Sequence, residues 1–321
     1  TLLDHVNEAN AGLYAEHTVH WTSWLATTLG WRGDYYNASV NSILQPANSG
    51  KDSAAIGSPK LRIVFGPFYK TEFFIGAGMG YHSNDARSTV ITEVPGDPTT
   101  PENASPFLVR SRGAEIGIRT KMLPGLDSSV SLFTLHQDSE LFFDGDTGET
   151  VAGLPSQRTG IEFTNDYRLA NWLHIDADLA LTRARFIGFD YAQEATYESL
   201  ARYPQSQIGN APGNYIYNAP WMVASAGITV GDKTGWFGDL RWRYISSRPL
   251  TEDGAFWSPP LSVFNGQVGY RFDNGWRIQL DGLNLLNSQA PQAEYAYGSL
   301  LKTDSLFVMC NSPAPPKAVC P

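Results

Sequence analysis

Polar and apolar residues alternate along most of this chain, in segments that are joined by short and long connections in turn. The segment from Trp236 to Ser247 shows the pattern. Side chains along an extended strand point alternately to its two faces, so this segment has an apolar face and a charged face. The apolar face carries Trp236, Leu240, Trp242 and Tyr244, and the charged face carries Asp239, Arg241 and Arg243.

The alternation recurs from end to end, and no amphipathic helical pattern separates the segments. Runs of this kind predict β-strands, and about a dozen of them predict an all-β fold. The predicted strands are Ala11–Thr22, Leu25–Val40, Lys60–Phe65, Thr71–Tyr81, Val109–Thr120, Ser129–Phe142, Gln157–Tyr167, Trp172–Arg185, Trp221–Val230, Trp236–Ser247, Leu261–Phe272 and Trp276–Leu285.

The connections between these strands alternate in length. The short ones contain Pro, Gly, Asn and Asp, which are the residues that tight turns require. Short turns at one rim and long loops at the other are typical of outer-membrane barrels, whose long loops lie outside the cell. Trp24, Trp172, Trp236 and Trp276 lie at or beside short turns, where an aromatic girdle is expected. The predicted long connections are Asn41–Pro59, His82–Leu108, Phe143–Ser156, Phe186–Pro220, Arg248–Pro260 and everything after Leu285.

Composition agrees with an antiparallel transmembrane up-and-down β-barrel. Charged residues make up 17% of the 321 residues and aromatic residues 12%, whereas soluble domains average about 25% charged residues. The net charge of −9 argues against a nucleic-acid partner. A soluble propeller or sandwich is the alternative, and it predicts a polar outer surface. The barrel instead predicts an exposed apolar band that includes Leu179, Leu240, Trp242 and Ile278.

Motifs of catalysis and of metal or cofactor binding do not stand out. The sequence has no Gly-x-Ser-x-Gly elbow, no His-Glu-x-x-His and no phosphate-binding loop. His174, Asp176 and Asp178 share one strand face and offer cation ligands, but alternate strand residues lining a polar lumen are the favoured interpretation. We therefore expect no catalytic residues, no metal and no cofactor.

The two cysteines, Cys310 and Cys320, lie close together in a Pro-rich tail. A single pair closing a short irregular loop favours a disulfide and an oxidising compartment. A metal pair is the weaker alternative, because no further Cys or His lies nearby to complete a site.

Three segments, taken in order, resemble the barrel of TonB-dependent outer-membrane receptors. They are Thr71–Arg87, Arg110–Gly117 and Asp281–Asn287. The resemblance implies a larger barrel with a plug in its lumen. On that basis residues 1–321 are expected to be a fragment of the barrel domain that lacks the plug, the early strands and the final strand. It also implies contact with outer-membrane lipid, with a transported small solute and, through the plug, with the TonB complex of the inner membrane.

The expected function is that of an outer-membrane active-transport receptor of a Gram-negative bacterium. It would take up a scarce solute such as siderophore-bound iron, haem or cobalamin, without changing it covalently. A passive porin-like channel and a barrel enzyme are the alternatives. Aromatic and polar residues at the pore mouth are the candidate ligand contacts, although they would also suit loops that merely cover the barrel. These candidates are Tyr81, His82, Asp85, Arg87, Tyr215 and Tyr217.

Overall fold

The computed structural model describes residues 3–144, 149–187, 214–251, 254, 256–291, 293 and 294. Within these residues, one α-helix, α1 (Ala86–Val90), and one 3-10 turn (Pro46–Asn48) accompany sixteen strands. The strands are β1 (Asp4–Thr22), β2 (Leu25–Ser42), β3 (Gly50–Phe68), β4 (Thr71–Ser83), β5 (Glu93–Val94), β6 (Asp97–Pro101), β7 (Leu108–Thr120), β8 (Leu126–Gln137), β9 (Leu141–Asp144), β10 (Glu149–Ala152), β11 (Ser156–Ala170), β12 (Leu173–Phe186), β13 (Met222–Gly231), β14 (Gly235–Ile245), β15 (Leu261–Arg271) and β16 (Arg277–Gly282).

Twelve of these strands form one antiparallel sheet in the order β1-β2-β3-β4-β7-β8-β11-β12-β13-β14-β15-β16. Consecutive strands of the sheet are therefore also consecutive along the chain, apart from two small hairpins, β5–β6 and β9–β10, within long connections. The predicted all-β, up-and-down arrangement of about a dozen strands is confirmed. Among the described residues, no helix has the length and apolar content needed to cross a membrane.

The outward face of the sheet carries a continuous line of large aliphatic side chains, which we call the outer apolar row. Its members lie directly opposite one another on six neighbouring strands. Ile75, Ile116 and Leu132 are 44%, 53% and 55% exposed. A soluble protein would bury such a row, whereas a transmembrane barrel presents it to lipid. The row consists of Ile63, Ile75, Ile116, Leu132, Ile161 and Leu181.

The four residues of the predicted outer band distinguish a barrel from a soluble sheet, and none of them is buried in a core. Leu240 and Ile278 are 44% and 64% exposed, and Leu179 and Trp242 are half-buried. Aromatic rings cluster near the short turns, where Trp236 contacts Tyr270 edge-on with ring centroids 5.4 Å apart. The predicted apolar outer band is confirmed, and the soluble propeller or sandwich is excluded.

The inward face of the same strands is charged and paired. Arg119 donates to Glu72 at 2.5 Å, and Arg241 lies 3.3 Å from Asp176. Gly76 gives space to the Glu115 side chain of the neighbouring strand, because a Cβ there would lie 2.9 Å from the Glu115 Oε1 atom. Small residues on this wall thus accommodate the long side chains of adjacent strands.

The predicted long connection Asn41–Pro59 is wrong over most of its length. Strand β2 continues to Ser42, β3 begins at Gly50, and the two pair as far as Val40 and Gly50. Strand β1 likewise begins at Asp4 and not at Ala11. These outer parts of the strands extend beyond the band that contacts lipid. They need no apolar face there, so the alternation that reveals a strand in the sequence is lost.

Candidate functional site at the mouth of the barrel

The long connections carry ordered structure that folds over the inward face of β2 and β3. We call residues 43–49 and 84–107 the mouth cap. Inward-facing Ala38 and Val40 pack with Ala86 of α1 and with Phe107, and all four are buried. Burying these apolar groups fixes the cap on the sheet, since removing apolar surface from water is favourable. The β2–β4 side of the mouth is therefore occupied by protein.

Two buried amide side chains hold the cap together. The Asn48 amide nitrogen donates to the Glu93 carbonyl at 2.9 Å, and its oxygen accepts from the backbone N–H groups of Thr92 and Glu93 at 2.9 and 3.0 Å. The Gln45 amide nitrogen donates to the Val94 carbonyl at 3.1 Å, and its oxygen accepts from the backbone N–H of Gly96 at 3.1 Å. Hydrogen-bonding buried amides in this way avoids a large desolvation penalty.

Tyr81 and His82, two of the predicted ligand contacts, lie at the end of β4 beside the cap. The Tyr81 ring contacts Tyr36 edge-on, with centroids 6.0 Å apart. The His82 side chain shares the inward face with the glycines of β4, and its Nε2 atom is buried without a hydrogen-bond partner among the described residues. The His82 Nε2 atom is therefore available to form a hydrogen bond with a ligand.

Asp85 and Arg87 form the start of α1. Asp85 accepts a hydrogen bond from the Arg87 backbone N–H at 2.9 Å, and the Arg87 guanidinium lies 2.6 Å from the other carboxylate oxygen. The guanidinium holds the pKa of Asp85 below its usual range. Both side chains are about 40% exposed. They stabilise the helix start and also remain accessible at the mouth.

A buried polar cluster on the inward wall was not predicted as a site. The Arg158 guanidinium donates to Glu140, to Gln137 at 2.7 Å and to Ser156 at 3.0 Å. Glu140 and Ser156 are 8% and 0% exposed. The cluster carries charge beside His82, since the Glu140 carboxylate acts electrostatically on the His82 ring. Only the inward alternation of Arg158 on β11 gave a signal for it.

Tyr215 and Tyr217 lie on a different part of the rim. The guanidinium of Arg185, on the outward face of β12, stacks 3.8 Å from the Tyr215 ring centroid. Tyr215 in turn contacts Trp257 edge-on at 5.2 Å. Tyr217 is 36% exposed. The six predicted contacts thus divide between the cap side at β4 and the rim near β12.

The other sequence candidates have ordinary partners or cannot be described. His174 lies 2.7 Å from Asp166, Asp176 contacts Arg241, and Asp178 accepts from Ser225 at 3.1 Å. Within the described ranges, no group of three or more His, Cys, Asp or Glu residues is placed to hold a metal ion. The predicted Cys310–Cys320 disulfide lies outside the described residues.

An exposed apolar outer band around a charged inner wall defines a transmembrane β-barrel of the outer-membrane type. Residues 2–285 match the family model described as TonB dependent receptor-like, beta-barrel, and the chain belongs to that family. The resemblance noted from the sequence is confirmed, and family membership implies an outer-membrane location.

Solved receptors share the fold. The ferric yersiniabactin uptake receptor FyuA from Yersinia pestis superimposes with a TM-score of 0.70 at 15% identity, over 92% of this chain and 43% of that one. The siderophore receptor PiuA from Acinetobacter baumannii gives 0.67 at 15% identity, over 88% and 39%. The chain thus spans about two fifths of the length of these receptors. A comparison with curated proteins gives no match.

Proposed function

We propose that this chain is part of an outer-membrane receptor that actively takes up a scarce solute in a Gram-negative bacterium. Candidate solutes are siderophore-bound iron, haem, cobalamin or a similar compound. The supporting observation is the inward mouth, which holds the unused His82 Nε2 atom and the buried Arg158–Glu140 cluster, whose carboxylate acts electrostatically on His82. FyuA is a ferric yersiniabactin uptake receptor and PiuA is a siderophore receptor, and their likeness to this chain favours the same class of cargo.

The proposal also includes further barrel strands, a plug domain and coupling to TonB. In the described sheet, β1 and β16 each have one unpaired edge, and open edges are not tolerated in lipid. We therefore assign residues 1–321 to a larger barrel, completed by further strands and filled by a plug that contacts the TonB complex. The receptor moves its solute without covalent change, so it is not an enzyme.

Transport by the full-length receptor tests this proposal. Radioactive iron bound to citrate or to a catecholate siderophore, haem and cyanocobalamin would be supplied one at a time to cells with and without TonB. Uptake of one of them is expected, and it should stop without TonB. Uptake that is equal in both strains would support a passive channel instead. No receptor-dependent uptake of any of the four would contradict the proposal for these solutes.

A second measurement tests the mouth residues. His82→Ala is expected to weaken solute binding about tenfold, which is the effect of losing one hydrogen bond to a buried group. His174→Ala is the matched control, because His174 also faces inward but lies near the turns and is paired with Asp166. Equal binding by the two variants would remove His82 from the site.

A further inference from the structure

The outward face of β7, β8, β11 and β12 changes chemistry just beyond the outer apolar row. Two residues further along each strand, and two residues beyond that, the cross-strand positions no longer carry large aliphatic side chains and include arginines on β12. Each such step is about 7 Å along a strand. The first of these lines consists of Ala114, Thr134, Thr159 and Arg183, and the second of Arg112, His136, Gln157 and Arg185.

A shallow groove of about 500 Å³ runs across this boundary. Its apolar end is lined by Leu132, Ile161 and Leu181 of the outer apolar row, and its other end by Arg183 and Arg185. The groove therefore joins the part of the surface that contacts acyl chains to a pair of positive charges. Such a shape suits a ligand that is apolar at one end and anionic at the other.

The two arginines at the groove have no acidic partner among the described residues. Arg183 is exposed, and its positive charge repels that of Arg185. Arg185 stacks on Tyr215 and donates to the Ala184 carbonyl at 2.7 Å, contacts that leave its charge unneutralised. Arg112 differs, because it is paired with Asp138 at 2.6 Å. The groove therefore carries two positive charges that no described acidic side chain neutralises.

We propose that this groove binds an acyl lipid whose head group carries a phosphate. The phosphate lies between Arg183 and Arg185, because guanidinium groups match phosphate geometry and an anion relieves the repulsion between them. An acyl chain follows Leu132, Ile161 and Leu181. The lipid belongs to the leaflet on the side of the long connections. This inference rests on the membrane location and is independent of the transported solute.

Lipid retention measured by native mass spectrometry tests the proposal. The full-length receptor would be placed in nanodiscs of phosphatidylcholine containing a small fraction of phosphatidic acid, which has a phosphate monoester head group. The double variant Arg183→Gln/Arg185→Gln is expected to lower phosphatidic acid retention about twenty-fivefold, from about fivefold per arginine near a membrane surface. The control Arg62→Gln/Arg243→Gln removes two charges from the inward face and should change nothing.

Equal retention by the two double variants would overturn the proposal. Displacement of phosphatidic acid by inorganic phosphate would also overturn it, because the groove would then be a site for free anions. If the double variant fails to insert, the single variant Arg183→Gln replaces it, since the exposed Arg183 side chain makes no hydrogen bond or ion pair with any residue that the structure describes. It should lower retention about fivefold, and an unchanged value would contradict the assigned phosphate position.

Discussion

The two faces of the sheet share one backbone and one hydrogen-bond network, yet their side chains differ completely. On β8, Leu132 points outward and is 55% exposed, and its neighbour Ser131 points inward. Positions in the outer apolar row are aliphatic because lipid surrounds them, whereas several inward charges, such as Glu72 and Arg119, are paired across strands. The backbone therefore determines the pairing, and the surrounding medium on each face determines the residue types.

The largest effect is expected from placing a charge on the outward face. Leu132→Arg should lower the free energy of unfolding of the receptor in vesicles by about 2–4 kcal/mol, since this side chain lies within the apolar band. Ser131→Arg is the matched control and should change stability by less than about 1 kcal/mol, because the inward face is polar. Denaturant unfolding of both variants checks this. Equal losses would mean that the two faces do not contact different media.

The mouth cap is the part of the inward face where polar groups are buried, and it should be more sensitive than the open lumen. Asn48→Ala removes the hydrogen bonds to the Thr92 and Glu93 backbone groups, at a cost of about 1 kcal/mol for each bond because these residues are partly exposed. Hydrogen exchange should accelerate at the Thr92 and Glu93 amides and stay unchanged in β8. Asn37→Ala, at an exposed position on β2, is the control. Unchanged protection in the Asn48 variant would show that the cap is held by its apolar contacts alone.

Single ion pairs on the open inward wall should contribute little. A double-mutant cycle with Glu72→Gln and Arg119→Gln is expected to give a coupling energy of about 0.5–1 kcal/mol, because both side chains are partly exposed. The coupling should fall as salt is raised. A coupling above about 2 kcal/mol that resists salt would instead indicate a site shielded from water.

The smallest expected effect is the pH dependence of α1. The pKa of Asp85 is lowered by Arg87, so its contribution is present above the usual carboxyl range and is lost as the pH falls through the lowered pKa. The change is a few tenths of a kcal/mol, since the pair is partly exposed. Hydrogen exchange in α1 between pH 6 and pH 3 measures it. Asp85→Asn should remove this dependence, and a dependence that persists would point to another group.

Alternation was sufficient to predict the twelve strands and the lipid-facing positions, because lipid imposes a period of two wherever it touches the sheet. The same signal disappeared in β3 before Pro59, where the strand leaves the membrane. The cap bonds of Asn48 and the Arg158–Glu140 contact could not be predicted either. They join residues 45 and 18 positions apart, and nothing local in the sequence marks such partners. His82 was predicted from its position, but its unused nitrogen was visible only in the structure.

The strand register also records how the sheet is inclined. The cross-strand line that starts at Leu25, the first residue of β2, passes through Phe65, Phe73, Ile118, Val130 and Phe163 and reaches Leu179, six residues into β12. Six residues of stagger over six strand steps, at about 3.3 Å per residue and 4.8 Å per step, correspond to a strand tilt of about 35°. Transmembrane barrels have tilts of about 35–45°. The open sheet therefore already has the inclination that a closed cylinder requires, and further strands can extend it without a change of slope.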